Sequence, residues 1–502
     1  MDILSRFMTE LSQLKGRPGL EEFVLPRMSN LYQMDWTQEQ ERLILALGDV
    51  VSLDARPWPD FVKICHGIPS QAFSRLTQLQ LGTIFYQGHD SRFLQQCRAL
   101  QKLSLPISDG NAFAWAEEEK KKHMATSNLV QLKTLEIRAA PFMVGALLKS
   151  IFHGFNHSLE NLDYACDNVT YSTDIFNSDE PSIDITTIPD ESFIIDSTVR
   201  MPRLKKLHIN HASSAVEIGQ GDFQGCPVLE SLSLDGDIIC SNGMQGFDVF
   251  RIPSLRCLSL SKGAAKYFKL ESIRHSPLLV NLTLRDDRSL HTHPSEVHLL
   301  KLNTAAWTWT MPHLNAITLS GRSALAFKLE WIRRCPSLET LVLDVVTPAT
   351  LRPNMTDIAK GPCGERLRTC QLIFFKQEVN KEWFPKVLET YCGHVVELTV
   401  RTHDLYLYSW DGVDLGLLLT ATEALSSLST LTVHLGEEWK RVRLVKWYDM
   451  VKGKFCYRTS KVIWPPYVKL KKLTIIDNDD SHGRGWYRQR AEESTDSIVV
   501  EA

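Results

Sequence analysis

A Leu-x-x-Leu-x-Leu pattern recurs along nearly the whole chain, and this constrains the fold more than any other feature. Clear copies are Leu76-Leu79-Leu81, Leu100-Leu103-Leu105, Leu132-Leu135-Ile137, Leu204-Leu207-Ile209, Leu229-Leu232-Leu234 and Leu255-Leu258-Leu260. They continue at Leu279-Leu282-Leu284, Leu314-Ile317-Leu319, Leu338-Leu341-Leu343, Leu428-Leu431-Val433 and Leu470-Leu473-Ile475. Weaker copies open at Leu20, Val50, Leu159, Leu367 and Val395, which makes about fifteen in all. Starts at 204, 229, 255 and 279 are 25, 26 and 24 residues apart, and 314 to 338 is 24. A fixed period in this range is the mark of a solenoid, in which no unit buries its apolar face alone and stacking completes the core.

Proline gives an independent check on the phase. Pro18, Pro202, Pro227, Pro253, Pro277, Pro312 and Pro336 each stand two residues before an opening aliphatic residue. With 22 prolines in 502 positions, chance would put roughly 0.7 there; seven are present. Proline fixes φ and lacks an N–H, so it suits the junction where a connector ends and a strand begins. The connectors read as helices of two to three turns. Phe268-Lys-Leu-Glu-Ser-Ile-Arg-His-Ser-Pro277 reappears as Phe327-Lys-Leu-Glu-Trp-Ile-Arg-Arg-Cys-Pro336, with seven of ten residues identical. Val144–Phe155 and Glu382–Tyr391 are further helix candidates, and in the second Pro385 either sits in the first turn or shortens the helix.

These motifs resemble the leucine-rich-repeat family, in particular the longer, helix-containing units of ribonuclease-inhibitor-like and F-box-associated proteins. The stretch Arg92-Phe-Leu-Gln-Gln-Cys97-Arg-Ala-Leu100, with Phe113-Ala-Trp115-Ala-Glu117 after it, is similar to the repeat region of fungal F-box/leucine-rich-repeat proteins. The resemblance covers about residues 20–476. It implies an α/β horseshoe of about fifteen irregular repeats, with a parallel sheet on the concave side and helices on the convex side. Two departures matter. The family usually places Asn or Cys three residues after the last strand aliphatic, whereas those positions here are Ala212, Asp237, Gly263, Asp287, Arg322 and Val346. Uneven turns are therefore expected. The chain also opens in what reads as a repeat helix, Ile3–Leu11, so no F-box is expected upstream.

The domain expectation is one solenoid over residues 1–476, with insertions near 165–199, 285–311 and 436–467, then a flexible polar tail at 477–502. The first insertion carries Asp167, Asp174, Asp179, Glu180, Asp184, Asp190, Glu191 and Asp196 with no Lys or Arg. It reads either as a solvated loop or as an acidic flap. Ile183, Ile185, Ile188, Phe193, Ile194 and Ile195 suggest that part of it packs down, and it could hide a degenerate repeat. In the second insertion Trp307 and Trp309 alternate as strand residues would, and His291, His293 and His298 lack the acid or Cys that would complete a metal set. Glu117–Lys122 reads as an exposed helix with ion pairs one turn apart.

Composition narrows the function. Fifty-six Lys+Arg against 59 Asp+Glu gives a net charge of −3, which argues against nucleic-acid tracking. No segment reaches the roughly 18 consecutive apolar residues of a membrane span. The N-terminus has no secretory signal pattern, and the four Asn-x-Ser/Thr sequons at Asn156, Asn168, Asn281 and Asn354 read as chance matches. The expectation is a cytoplasmic or nuclear monomer. Eleven cysteines include no Cys-x-x-Cys, and Cys97, Cys226, Cys335 and Cys392 share one phase, three residues before an opening aliphatic, which favours buried packing. There is no Walker loop, nucleophile elbow or His-Glu-x-x-His, and Gly219–Gly225 reads as a turn. No catalytic residue, metal or cofactor is expected.

Binding is different, because period-2 alternation turns the residues between the leucines outward. The candidate partner-binding residues are Lys206, His208, Ser231, Ser233, Asp235, Ser259, Asn281, Thr283, Arg285, Thr318, Thr340 and Asp344. Small hydroxyl side chains would let a partner's backbone approach, while Asp235, Arg285 and Asp344 would set register. The partner is expected to be a protein held on the concave face or the edge loops. The resemblance implies substrate recognition of F-box/leucine-rich-repeat type, with ubiquitin-ligase subunits as further partners. A stand-alone scaffold or enzyme inhibitor is the alternative, followed by a GTPase-activating protein on the same repeat.

Overall fold

A strand whose alternate residues are Leu or Ile has one face that must leave water and one that need not, so identical strands stack side by side with those faces aligned. The computed structural model shows this arrangement. It describes residues 22–24, 50–56, 73–81, 97–107, 131–139, 157–166, 193–195, 200–210, 216–218, 223, 225–236, 239–240, 252–268, 270–286, 309–346, 360–374, 384–402, 425–435, 472–477 and 498–501. The chain forms two compact units, Met1–Leu255 and Arg256–Ala502.

The first unit contains β1 (Glu22–Val24), β2 (Ser52–Ala55), β3 (Gln78–Leu81), β4 (Lys102–Ile107), β5 (Thr134–Ala139) and β6 (Asn161–Cys166). These are followed by β7 (Phe193–Ile195), β8 (Lys206–Asn210), β9 (Val216–Ile218), β10 (Ser231–Gly236) and β11 (Ile239–Cys240). Its main sheet runs β1-β2-β3-β4-β5-β6-β8-β10, parallel at every step. A second parallel sheet joins β7, β9 and β11, so the coils after β6, β8 and β10 each carry a second short strand. Phe193–Ile195, from the acidic insertion, is the first of these, while Ile183, Ile185 and Ile188 lie outside the described residues. That segment therefore holds a solenoid strand.

The second unit contains β12 (Cys257–Ser261), β13 (Asn281–Arg285), β14 (Ala316–Leu319), β15 (Thr340–Val346), β16 (Thr369–Phe374), β17 (Glu397–Thr402), β18 (Thr430–Leu435), β19 (Lys472–Asp477) and β20 (Ile498–Glu501). All nine pair in parallel, in chain order. Each unit is thus a parallel-strand solenoid. In register, Leu258 faces Leu282, Leu282 faces Ile317 and Ile317 faces Leu341, and all four are buried. Full burial of a leucine contributes roughly 1.5–3 kcal/mol, so the aligned rows supply the main driving force.

Each rung begins the same way. The opening aliphatic N–H donates to the carbonyl three residues earlier, as in Leu204 to Met201, Leu229 to Cys226, Leu314 to Met311 and Leu338 to Cys335. Pro202, Pro227, Pro312 and Pro336 therefore occupy the second position of a β-turn, where a fixed φ near −65° is already correct. The carbonyl one residue past the opening aliphatic then accepts two N–H groups from the next rung. Thr77 O takes those of Gln101 and Lys102, and Asn315 O takes those of Glu339 and Thr340. Cys97, Cys226 and Cys335 hold the first turn position and are buried. Desolvation pushes their thiols up to about 12, about 11 and about 12 respectively, as expected of thiols used for packing.

The connectors depart from the expected helices. The duplicated segments do not form single helices of two to three turns. Instead each holds a 3-10 helix, Leu270–His275 in the first and Leu329–Arg334 in the second, and a short α-helix precedes it, α1 (Lys262–Tyr267) or α2 (Gly321–Ala326). The two copies agree closely: Phe268 ends the first α-helix at φ −75° and Phe327 the second at φ −74°. Each Phe is buried and breaks the helix in extended backbone, because its ring must turn inward at that point. Phe327 meets Trp331 edge-to-face, with centroids 5.4 Å apart. α3 (Phe384–Cys392) does take the expected helix, with Pro385 in its first turn. Trp309 does not lie in a strand as its alternation with Trp307 suggested; it precedes the turn at Met311, and β14 begins only at Ala316. Val144–Phe155, Glu117–Lys122, Gly219, His291, His293, His298, Trp307 and Pro18 lie outside the described residues.

Candidate functional site

The outward positions of the strands form two open sheet faces, one per unit, and they differ in chemistry. In the first unit the rows run in register across the rungs. Ser104 faces Glu136, Glu136 faces Asp163, Asp163 faces His208 and His208 faces Ser233. Beside this row, Lys102 faces Thr134, Thr134 faces Asn161, Asn161 faces Lys206 and Lys206 faces Ser231. Parallel rungs about 4.8 Å apart bring such side chains within contact distance.

Ion pairs follow from that spacing. Lys102 Nζ lies 2.7 Å from Glu136 Oε1, and His208 Nδ1 lies 3.0 Å from Asp163 Oδ1. The hydrogen bond to Asp163 raises the pKa of His208, and the negative charges of Asp163 and Asp235 add to it, while partial burial opposes. The same bond holds the Asp163 carboxyl below the usual carboxylate range, helped by the charges of His208, Arg138 and Lys102. At the edge of the face Lys205 Nζ bonds Glu160 Oε2 at 2.8 Å, and Glu160 is lowered chiefly by that bond. Asp54 is buried; the Arg56 guanidinium grips its carboxylate at 2.6 Å and lowers its pKa. Asn161 Nδ2 donates to Thr134 Oγ1 at 3.1 Å.

In the second unit the central row is uncharged, with Arg285 and Asp344 on one side of it and Glu397 on the other. Ser259 faces Thr283, Thr283 faces Thr318, Thr318 faces Val342, Val342 faces Gln371 and Gln371 faces Thr399. Asn281 Nδ2 donates to Cys257 Sγ at 3.4 Å. Arg285 is exposed at the end of β13, and Asp344 is half-buried on β15.

All twelve candidate residues thus stand on the outward positions of their strands. Lys206, His208, Ser231, Ser233 and Asp235 come together in the first unit. Ser259, Asn281, Thr283, Arg285, Thr318, Thr340 and Asp344 do so in the second. Sequence reasoning missed Lys102, Glu136, Arg138 and Asp163, which make the first face ionic. The signal was present, because the same alternation applied to the motifs opening at Leu100, Leu132 and Leu159 turns them outward. The Leu159 copy is obscured by Tyr164 in its last aliphatic place, yet that ring is fully buried.

Among the described residues no cluster of three or more His, Cys, Asp or Glu could hold a metal ion, and no helix is long and apolar enough to cross a membrane. No protein-family model and no curated protein matches the chain.

Proposed function

We propose that the chain is a non-catalytic protein-recognition module whose open sheet faces hold a protein partner. The observation that carries this reading is the in-register row of outward side chains on each hydrogen-bonded ladder. A side-chain row fixed on a hydrogen-bonded ladder lowers the ordering cost of binding. The leucine-rich-repeat reading gives it finer detail: about fifteen irregular repeats, the sheet on the inner side of each coil and the connectors on the outer. The proline-led turn before each strand and the period of 24 to 26 residues support it. In that reading the chain selects substrates as the repeat region of F-box proteins does, in the cytoplasm or nucleus.

The two faces suggest a division of labour. Paired charges in the first unit fix orientation, because a mispaired partner would leave carboxylates unmatched. Short hydroxyl side chains in the second unit let a backbone come close. The test is capture of interacting proteins by the wild-type chain and by a triple charge reversal, Asp235→Lys, Arg285→Glu and Asp344→Lys. Loss of the wild-type partner by the triple variant, with its circular dichroism unchanged, is the expected result. Undiminished capture would move the binding site off the sheet faces.

A further inference from the structure

The step from β6 to β8 is unlike its neighbours. Lys206 pairs with Ser231 across 25 residues of chain, but Asn161 pairs with Lys206 across 45. This long step carries two ion pairs. Glu160–Lys205 closes it at the strand entrance, at 2.8 Å, and Asp163–His208 closes it one turn of pleat further on, at 3.0 Å. Both acids come from one rung and both bases from the next. We propose that Asp163–His208, beside Glu160–Lys205, is a pH-sensitive clamp that holds β6 against β8 across the acidic insertion and loosens as the medium turns alkaline.

The geometry makes His208 the one titrating member near neutrality. It stands between Asp163 on β6 and Ser233 on β10, with the charge of Asp235 two residues along β10 and Lys206 on its own strand. On the far side of Asp163 are Glu136 and Arg138 of β5 and Lys102 of β4. The imidazole, with an ordinary value of 6.5, gains or loses its charge within the neutral range. His208 binds its proton more tightly in the folded chain than in the unfolded one. Its contribution is therefore complete below the ordinary histidine value of 6.5 and fades as pH rises through its folded value. Asp163 works in the opposite sense: its contribution holds above 3.8 and fades as pH falls through its lowered folded value. The clamp is tightest in the mildly acidic window between them. This inference rests on the rung geometry alone and stands whether or not the face binds a partner.

The β4–β5 step provides an internal reference, because it is held by Lys102–Glu136 and neither strand carries a histidine. Hydrogen–deuterium exchange of the full chain, read by mass spectrometry, compares the two steps at about pH 6 and about pH 8.5, with each rate divided by its intrinsic value. Protection of β6 and β8 amides should fall about two- to five-fold at the higher pH while β4 and β5 stay constant, the range expected of a partly exposed ion pair. His208→Gln should show the weaker protection at both values. Asp163→Asn should do the same, separating the pair from any general effect of the imidazole. An equal pH response at both steps, or a response that survives in His208→Gln, overturns the proposal.

Discussion

Gly321 offers the sharpest test of how the connectors are built. It follows Ser320 at the end of β14 and opens α2 with φ +56°, in the left-handed region. A Cβ at this place would lie 2.8 Å from both the carbonyl oxygen and the Cβ of Asp286. Gly321→Ala therefore meets two penalties. The left-handed backbone costs a non-glycine residue about 1–2 kcal/mol. Displacing Asp286, a buried residue whose backbone oxygen is one of the blocking atoms, adds about 1–3 kcal/mol of overpacking. Together the loss should be about 2–5 kcal/mol. The duplicated segment supplies the control. Lys262 occupies the matching place before Phe268, at φ +53°, and already carries a Cβ. Lys262→Gly removes the backbone strain but adds glycine's unfolded-state entropy, about 0.5–1 kcal/mol, so the two nearly cancel. Urea unfolding followed by far-ultraviolet circular dichroism measures both. A stable Gly321→Ala protein, within about 0.5 kcal/mol of wild type, would refute the argument.

Two further outcomes follow from burial. Leu232→Ala and Leu282→Ala should each destabilise by about 2–5 kcal/mol, because both leucines are buried and the hydrogen-bonded ladder limits collapse around the gap; wild-type-like urea midpoints would contradict this. Native alkylation at about pH 8 should leave Cys97, Cys226 and Cys335 unmodified while denaturant exposes them, as read by peptide mass; rapid native labelling of any of the three would show that its turn is open.

Much of this fold could be read from residue order because the solenoid is locally encoded. The leucine phase located the strands, and proline located the turns, since each of those residues has one dominant physical reason to be where it is. The connectors were harder. Phe268-Lys-Leu-Glu and Phe327-Lys-Leu-Glu have helical composition, yet each Phe is the extended cap of the α-helix before it and a 3-10 helix follows. Only the packing of neighbouring rungs decides that. The second short sheet of β7, β9 and β11 was equally hidden, because three-residue strands leave almost no periodicity to detect. On the faces, alternation placed each outward residue correctly. Which of them meet depended on rung order, and β6 lies beside β8 despite 45 intervening residues. Thus Asp163 and His208 are distant in sequence and 3.0 Å apart in space.

The shared carbonyl at each rung entrance has a consequence for how such a chain can change. Because Lys133 O receives both Glu160 and Asn161 N–H groups, and Glu160 O receives both Lys205 and Lys206, alignment is templated by the neighbouring coil. The connecting loop need only return to the right starting point. Growth by grafting new sequence into a return path, even a doubling of its length, therefore leaves the alignment of every later rung untouched, and variation can accumulate on the outside of the coils while the ladder keeps its count.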